Sequence, residues 1–196
     1  MKAGVIILAG GKSSRMGKNK ALLPIDGLTT IERIKTIVSE DFEDILIVAN
    51  EPELYEFLEL PITEDKVKNK GPLAGIQAGL LAAKNNTNVL IACDMPFISV
   101  ELAKFLVARS EGFDAVVPII DGQRHPLFAV YKKTVLKAID ELFKKDELRI
   151  KDLLDCVKVN YITEKDFLNE GIVNLEQSFY NMNRPSEYEE AKKMGK

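Results

Sequence analysis

Near the N-terminus, the segment LAGGKSSRMGKNK (Leu8 to Lys20) holds three glycines and four cationic side chains, Lys12, Arg15, Lys18 and Lys20. Gly10 and Gly11 remove side chains where the chain must turn sharply, so backbone N–H groups can point at an anion. The neighbouring cations add attraction, and the combination describes a polyphosphate cradle. The plainer alternative is a solvated basic turn. Two common cradles are excluded. Gly11 and Gly17 are one residue too far apart for G-x-x-x-x-G-K-[ST], and Lys18 is followed by Asn19. The adjacency of Gly10 and Gly11 rules out G-x-G-x-x-G.

Asp94, in CDMPF, ends an apolar run. A carboxylate there, beside a phosphate cradle, is placed to hold Mg²⁺; a turn-capping Asp before Pro96 is the alternative. The GPLAGI stretch, Gly71 to Ile76, suits either a helix start facing an anion or a tight helix–sheet contact. Asn50 and Asp65 stand in LIVAN and ITED, where turn formers also occur. Arg124 and His125 precede an apolar run, and a lone histidine there is commonly structural. Asn181 and Asn183 in NMNRP offer paired donors and acceptors, or cap a last helix. Cys93 reads as a small buried residue.

The elements that must position these residues alternate. Val5–Leu8, Ile45–Val48 and Val89–Ala92 are continuous apolar runs, as in strands buried on both faces. Thr29-x-x-Glu32 is a capping box before Ile31, Ile34 and Val38 at helical spacing. Pro52 to Leu58 predicts a short helix with proline near its start. Leu73, Ile76, Leu80 and Ala83 predict another, and Ser99 caps a third carrying Leu102, Leu106 and Val107. Ala115–Val117 and Leu127–Tyr131 predict later strands, and Ser186-x-x-Glu189 a capping box for the last helix. Residues 132–171 carry no readable motif. The alternation predicts an α/β sandwich with a mostly parallel sheet, formed as a single domain over residues 1–196. Ligands of such sheets bind beyond the carboxyl ends of the strands. That selects 9–20, 49–50 and 93–97.

The totals narrow the class. The chain has 196 residues, 46% hydrophobic and 29% charged, as expected of a globular protein with a proper core. A net charge of −3 argues against general nucleic-acid binding. No apolar run approaches the roughly 20 residues of a membrane span. Ala3–Ala9 is followed by Gly and Lys rather than an A-x-A site, so the segment reads as a strand and the protein as cytoplasmic. Two cysteines and one histidine exclude a disulfide framework, Cys-only zinc and His-rich metal sites.

The pattern L-A-G-G-x-S-x-R-M-G-x-x-K, met by Leu8, Ala9, Gly10, Gly11, Ser13, Arg15, Met16, Gly17 and Lys20, resembles the molybdenum cofactor guanylyltransferases, the MobA-like nucleotidyltransferases. The similarity extends through GPLAGI, the D-x-P of Asp94-Met95-Pro96, His125-Pro-Leu and N-x-N-x-P, with Arg184 standing where Thr is usual. It implies a Rossmann-like three-layer sandwich of the nucleotide-diphospho-sugar transferase type. It also implies GMP transfer from GTP to the terminal phosphate of molybdopterin with Mg²⁺, forming the guanine dinucleotide cofactor and releasing pyrophosphate. Transient contact with a recipient molybdoenzyme or its chaperone is implied as well. By the same resemblance Arg15, Lys20 and Asp94 are catalytic, with Asp94 the metal ligand. Leu8, Ala9, Gly10, Gly11, Lys20, Asn50, Asp65 and Asp94 are nucleotide-binding, and Asn181 and Asn183 pterin-binding. Other nucleotidyltransferases fit less well. The cytidylyltransferase for the same cofactor has L-A-A-G at the first motif, and GPLAGI and NMNRP argue against cobinamide-phosphate and sugar-phosphate enzymes. A non-catalytic pterin carrier would not need a triphosphate cradle with a metal carboxylate.

Overall fold

The computed structural model describes residues 2–9, 19–65 and 71–195. Among them one sheet runs in the order β5 (Ile62–Thr63), β4 (Ile45–Val48), β1 (Gly4–Leu8), β6 (Thr87–Ala92), β9 (Phe128–Lys132), β7 (Ala115–Ile120), β10 (Val159–Thr163), with β8 (Gln123–Arg124) beside β7. Strands β5, β4, β1 and β6 are mutually parallel, as are β7 and β10; β9 pairs antiparallel with both β6 and β7. A separate antiparallel pair joins β2 (Pro24–Ile25) to β3 (Leu28–Thr29).

All five residues of β1 are buried, because each face of the strand carries a core. Val5 and Ile7 face a cluster with α1 (Thr30–Val38) and α3 (Val100–Ala108), through Ile31, Ile34, Leu102 and Leu106. Ile6 and Leu8 face the other, with α2 (Gly71–Ala82), α4 (Leu136–Lys144) and α5 (Ile150–Cys156), through Leu73, Ile76, Ile139 and Leu153. Period-two alternation therefore distributes one apolar run between two helix layers. Three layers result, the Rossmann-like α/β sandwich expected. Helices α6 (Glu164–Asn169), α7 (Leu175–Ser178) and α8 (Pro185–Met194) complete the chain.

The capping box at Thr29 forms: the Glu32 carboxylate accepts from the Thr29 N–H at 2.8 Å, and Thr29 Oγ1 accepts from the Glu32 N–H at 3.3 Å. Ser99 caps α3 by accepting from Leu102 N–H. Two expectations are corrected. Pro52–Leu58 is not one helix but two short 3₁₀ turns, Pro52–Leu54 and Glu56–Leu58, interrupted at Tyr55 with φ −125° and ψ 2°. Seven residues are too few for a self-sustaining helix, and burial of Tyr55 and Leu58 decides the geometry. The last helix is not capped by Ser186 and Glu189. It begins at Pro185, and the Glu187 carboxylate accepts from the N–H groups of Asn183 and Arg184. Proline's fixed φ sets the first helical position two residues earlier than the serine pattern suggests.

Gly71 adopts φ +62°, a left-handed conformation favouring glycine, and among the described residues nothing lies within 4 Å of where a Cβ would stand. Gly79 serves a different need. A Cβ there would lie 2.5 Å from Ile6 Cγ2 and 3.1 Å from Val48 Cγ2, both on stiff β-branched side chains. At Gly75 the nearest neighbour would be Leu8 Cδ2 at 3.4 Å, an ordinary contact. Gly79→Ala should therefore destabilise by about 1–3 kcal/mol through overpacking. Gly75→Ala should be neutral or gain up to about 1 kcal/mol from helix propensity. Urea unfolding of the two variants checks this; equal effects would contradict it.

Candidate active site

The parallel strands carry their hydrogen bonding past their last residues. The Ala9 N–H donates to the Val48 carbonyl at 2.9 Å, Cys93 N–H to Leu8 O at 3.0 Å, and Ala49 N–H to Thr63 O at 3.0 Å. These bonds hold Ala9, Ala49 and Cys93 at one edge of the sheet. Asn50 and Asp94 follow Ala49 and Cys93 immediately, and Asp65 lies two residues beyond Thr63. Asn50 is exposed, and Asp65 is half-buried. Asp65 Oδ1 is shielded from solvent and has no hydrogen-bond partner among the described residues. A shielded, unpaired carboxylate oxygen is costly unless a donor arrives.

Lys20 is the residue that joins the chemistry. It starts a 3₁₀ turn, Lys20–Leu22, whose N-cap is Asn19; Asn19 Oδ1 accepts from the Ala21 N–H. Its Nζ donates to Asn183 Oδ1 at 2.7 Å and to Asp94 Oδ2 at 3.3 Å. The Lys20 and Asp94 side chains are only 16% and 22% exposed, so their attraction is less screened than that of a surface pair. Three predicted residues, distant in sequence, thus meet. Gly10, Gly11 and Arg15 lie outside the described residues. Asn181 is not brought into this contact; its Nδ2 donates to the Phe179 carbonyl at 3.3 Å.

Sequence reasoning missed what holds Asn183 there. Met182, between the two asparagines, is fully buried with Ile25, Phe97 and Ala191. Its N–H donates to the Asp94 carbonyl at 2.9 Å. Burying such a side chain is worth about 1.5–3 kcal/mol, enough to seat the segment. The signal was an apolar residue inside a polar motif. Beside Lys20, a cleft of about 660 Å³ opens between Asn19, Leu22 and Pro24 on one side and Pro185 and Tyr188 on the other. The Tyr188 hydroxyl donates to the Pro24 carbonyl at 2.8 Å across it.

His125 packs on the Phe179 ring at 4.8 Å between centroids, two residues before Asn181. Arg124 lies over the Tyr161 ring, with Asp155 at 3.9 Å. Burial pushes the Cys93 thiol up to about 12, with the Asp94 charge adding to it, so the thiol is protonated and no nucleophile.

A single carboxylate suits a magnesium ion that retains waters and substrate phosphates, rather than a protein cage. Among the described residues no group of three or more His, Cys, Asp or Glu could cage a metal.

The profile of the MobA-like NTP transferase domain matches residues 5–160. The chain belongs to that family. A protein of Pelotomaculum thermopropionicum described as a probable molybdenum cofactor guanylyltransferase is 37% identical over 194 residues, 99% of this chain and 94% of its own. One of the same description from Carboxydothermus hydrogenoformans is 37% identical over 190 residues, 97% of this chain and 95% of its own. The crystal structure of molybdopterin-guanine dinucleotide biosynthesis protein A from Archaeoglobus fulgidus matches with a TM-score of 0.83 at 26% identity, covering 97% of each chain. In this MobA-like domain the family profile takes in Val5–Leu8 of β1, Lys20 and Asp94, and ends before Asn181. No helix among the described residues is long and apolar enough to cross a membrane.

Burial lowers the His125 pKa from 6.5, partly offset by the Ile120 backbone and the Asp121 charge. The folded chain then binds fewer protons than the unfolded chain just below pH 6.5. Stability held above that pH falls as the medium acidifies, until the folded-state imidazole also protonates. As His125 is the only histidine, its single imidazole C2–H NMR signal should titrate below 6.5, and His125→Gln should remove this component of the pH dependence. Titration at or above 6.5 would contradict it.

Proposed function

We propose that this chain transfers GMP from GTP to the terminal phosphate of molybdopterin. An oxygen of that phosphate bonds to the α-phosphorus of GTP, the bond from the α-phosphorus to the bridging oxygen breaks, and pyrophosphate leaves. The observation that carries the reading is the meeting of Lys20, Asp94 and Asn183 at the carboxyl edge of the parallel sheet, in a MobA-like domain. The names borne by the relatives from Pelotomaculum and Carboxydothermus support the substrates.

The attacking phosphate is already an anion near neutral pH, so no strong general base is required. The chain's contribution is positioning and charge stabilisation. Arg15 and Lys20 neutralise triphosphate charge as it moves onto the leaving pyrophosphate. Leu8, Ala9, Gly10 and Gly11 offer backbone groups to the nucleotide. Asn50 and Asp65 contact base or ribose, and Asp65 Oδ1, without a partner among the described residues, supports an acceptor role toward guanine N–H groups. Asp94 would hold Mg²⁺, which would supply charge neutralisation to the phosphates. Asn183, and Asn181 beside it, face the pterin substrate, for which the cleft bordered by Pro185 and Tyr188 offers room. Residues 1–196 act as a single nucleotidyltransferase domain in the cytoplasm, with transient contact to a recipient molybdoenzyme or its chaperone.

Asp94→Ala should lower pyrophosphate release from GTP and molybdopterin by about a hundred- to a thousandfold, the scale of losing a principal electrostatic group. Its unfolding transition should stay close to that of the wild type. A continuous pyrophosphate assay with Mg²⁺ and a thermal melt check both. Near-wild-type turnover in the folded variant would remove Asp94 from the reaction.

A further inference from the structure

Residues 10–18 carry most of the proposed phosphate-binding chemistry, and the structure describes both of their anchors, Ala9 and Asn19. Among the described residues no backbone hydrogen bond joins these anchors; the Ala9 N–H is committed to Val48 and the Asn19 carbonyl to the Leu22 N–H. One side chain joins them instead. The Tyr55 hydroxyl donates to the Ala9 carbonyl at 2.9 Å and accepts from Asn19 Nδ2 at 2.8 Å. A phenol has a single proton to give, and it goes to Ala9. Its ring is 1% exposed, in the core beneath β1.

We propose that Tyr55 is a positioning residue for nucleotidyl transfer, clamping the two ends of the 10–18 segment so that Lys20 meets its partners correctly. The proposal rests on the guanylyltransferase reading above. The Asn19 amide is used in both directions, donating to Tyr55 and accepting from Ala21 N–H at 3.1 Å, so its orientation is determined. Lys20 is the next residue, and its ammonium lies on Asp94 and Asn183. A continuous set of bonds therefore runs from the end of β1, through the Tyr55 hydroxyl and the Asn19 amide, to the turn that aims Lys20. The break between the two 3₁₀ turns at Tyr55 has a purpose here: the chain leaves helical geometry at the residue that must point inward. Burial also raises the Tyr55 pKa, which keeps the phenol neutral and able to donate.

Tyr55→Phe keeps the ring and removes the link. It should lower kcat for pyrophosphate release by about 10- to 100-fold, since misplacement by an ångström has effects of that size. KM for the nucleotide should move less than kcat, and the melting temperature should stay within about 5 °C. Asn19→Ala cuts the same link from the other side. The double variant should be no slower than the slower single, because shared interactions are non-additive. Wild-type kcat in Tyr55→Phe, or single losses that multiply in the double variant, would overturn the proposal. If Tyr55→Phe does not fold, Asn19→Ser decides, because it keeps a capping acceptor for the Ala21 N–H but cannot reach Tyr55: reduced kcat upholds the clamp and wild-type kcat overturns it. The wild-type reference separates this from the substrate reading. If the wild type turns over another nucleotide, guanylyl transfer fails as a reading, while the ratio of variant to wild type on that nucleotide still tests Tyr55.

Discussion

The parallel register of β1 between β4 and β6 is the constraint on which the rest of the molecule depends. Leu8 lies opposite Val48 on one side and Ala92 on the other, so the three strands end at the same level. Because β1 is buried on both faces, a slip of one residue would exchange Ile6 and Ile7 between two unlike helix layers. The apolar core thus enforces the alignment that brings Ala9, Asn50 and Asp94 to a common edge. Stability and site geometry have the same origin here.

The second half of the chain approaches that edge from elsewhere. Antiparallel β9 reverses direction beside β6, and the chain after α7 returns to the Asp94 loop through the Met182 N–H. A small apolar cluster of Ile25, Phe97, Met182 and Ala191 seats this return independently of the two main cores. The Lys20 ammonium then joins first-half and second-half groups, Asp94 and Asn183, in one contact. An arrangement of this kind suits a reaction between two anionic substrates, because one cation borders both sides of the site.

The main strands were legible because burial on both faces writes uninterrupted apolar runs such as Val5–Leu8 and Ile45–Val48. Capping at Thr29 and Ser99 was legible because it is local chemistry between residues three apart. What escaped depends on tertiary contact. Pro52–Leu58 has helical composition, yet the burial of Tyr55 overrides it. Ser186 and Glu189 have capping-box spacing, yet Pro185 and Glu187 do the work two residues earlier. Residues 132–171 form α4, α5, β10 and α6 without any motif, since amphipathic helices and an edge strand require none. At the site, the meeting of Lys20 with Asp94 was legible from the strand-end rule, but the arrival of Asn183 on the same ammonium was not. Asn19 and Tyr55 were invisible as a pair because they lie 36 positions apart.

The most direct test is calorimetric titration of the protein with GTP, CTP, ATP and UTP, each with Mg²⁺, repeated with Asp65→Asn. The predicted result is GTP binding at least about tenfold tighter than the other three, or about 1.4 kcal/mol, with that preference reduced in the variant. Preference for a pyrimidine nucleotide would contradict guanylyl transfer while leaving a nucleotidyltransferase. Absence of nucleotide binding altogether would contradict the phosphate cradle itself.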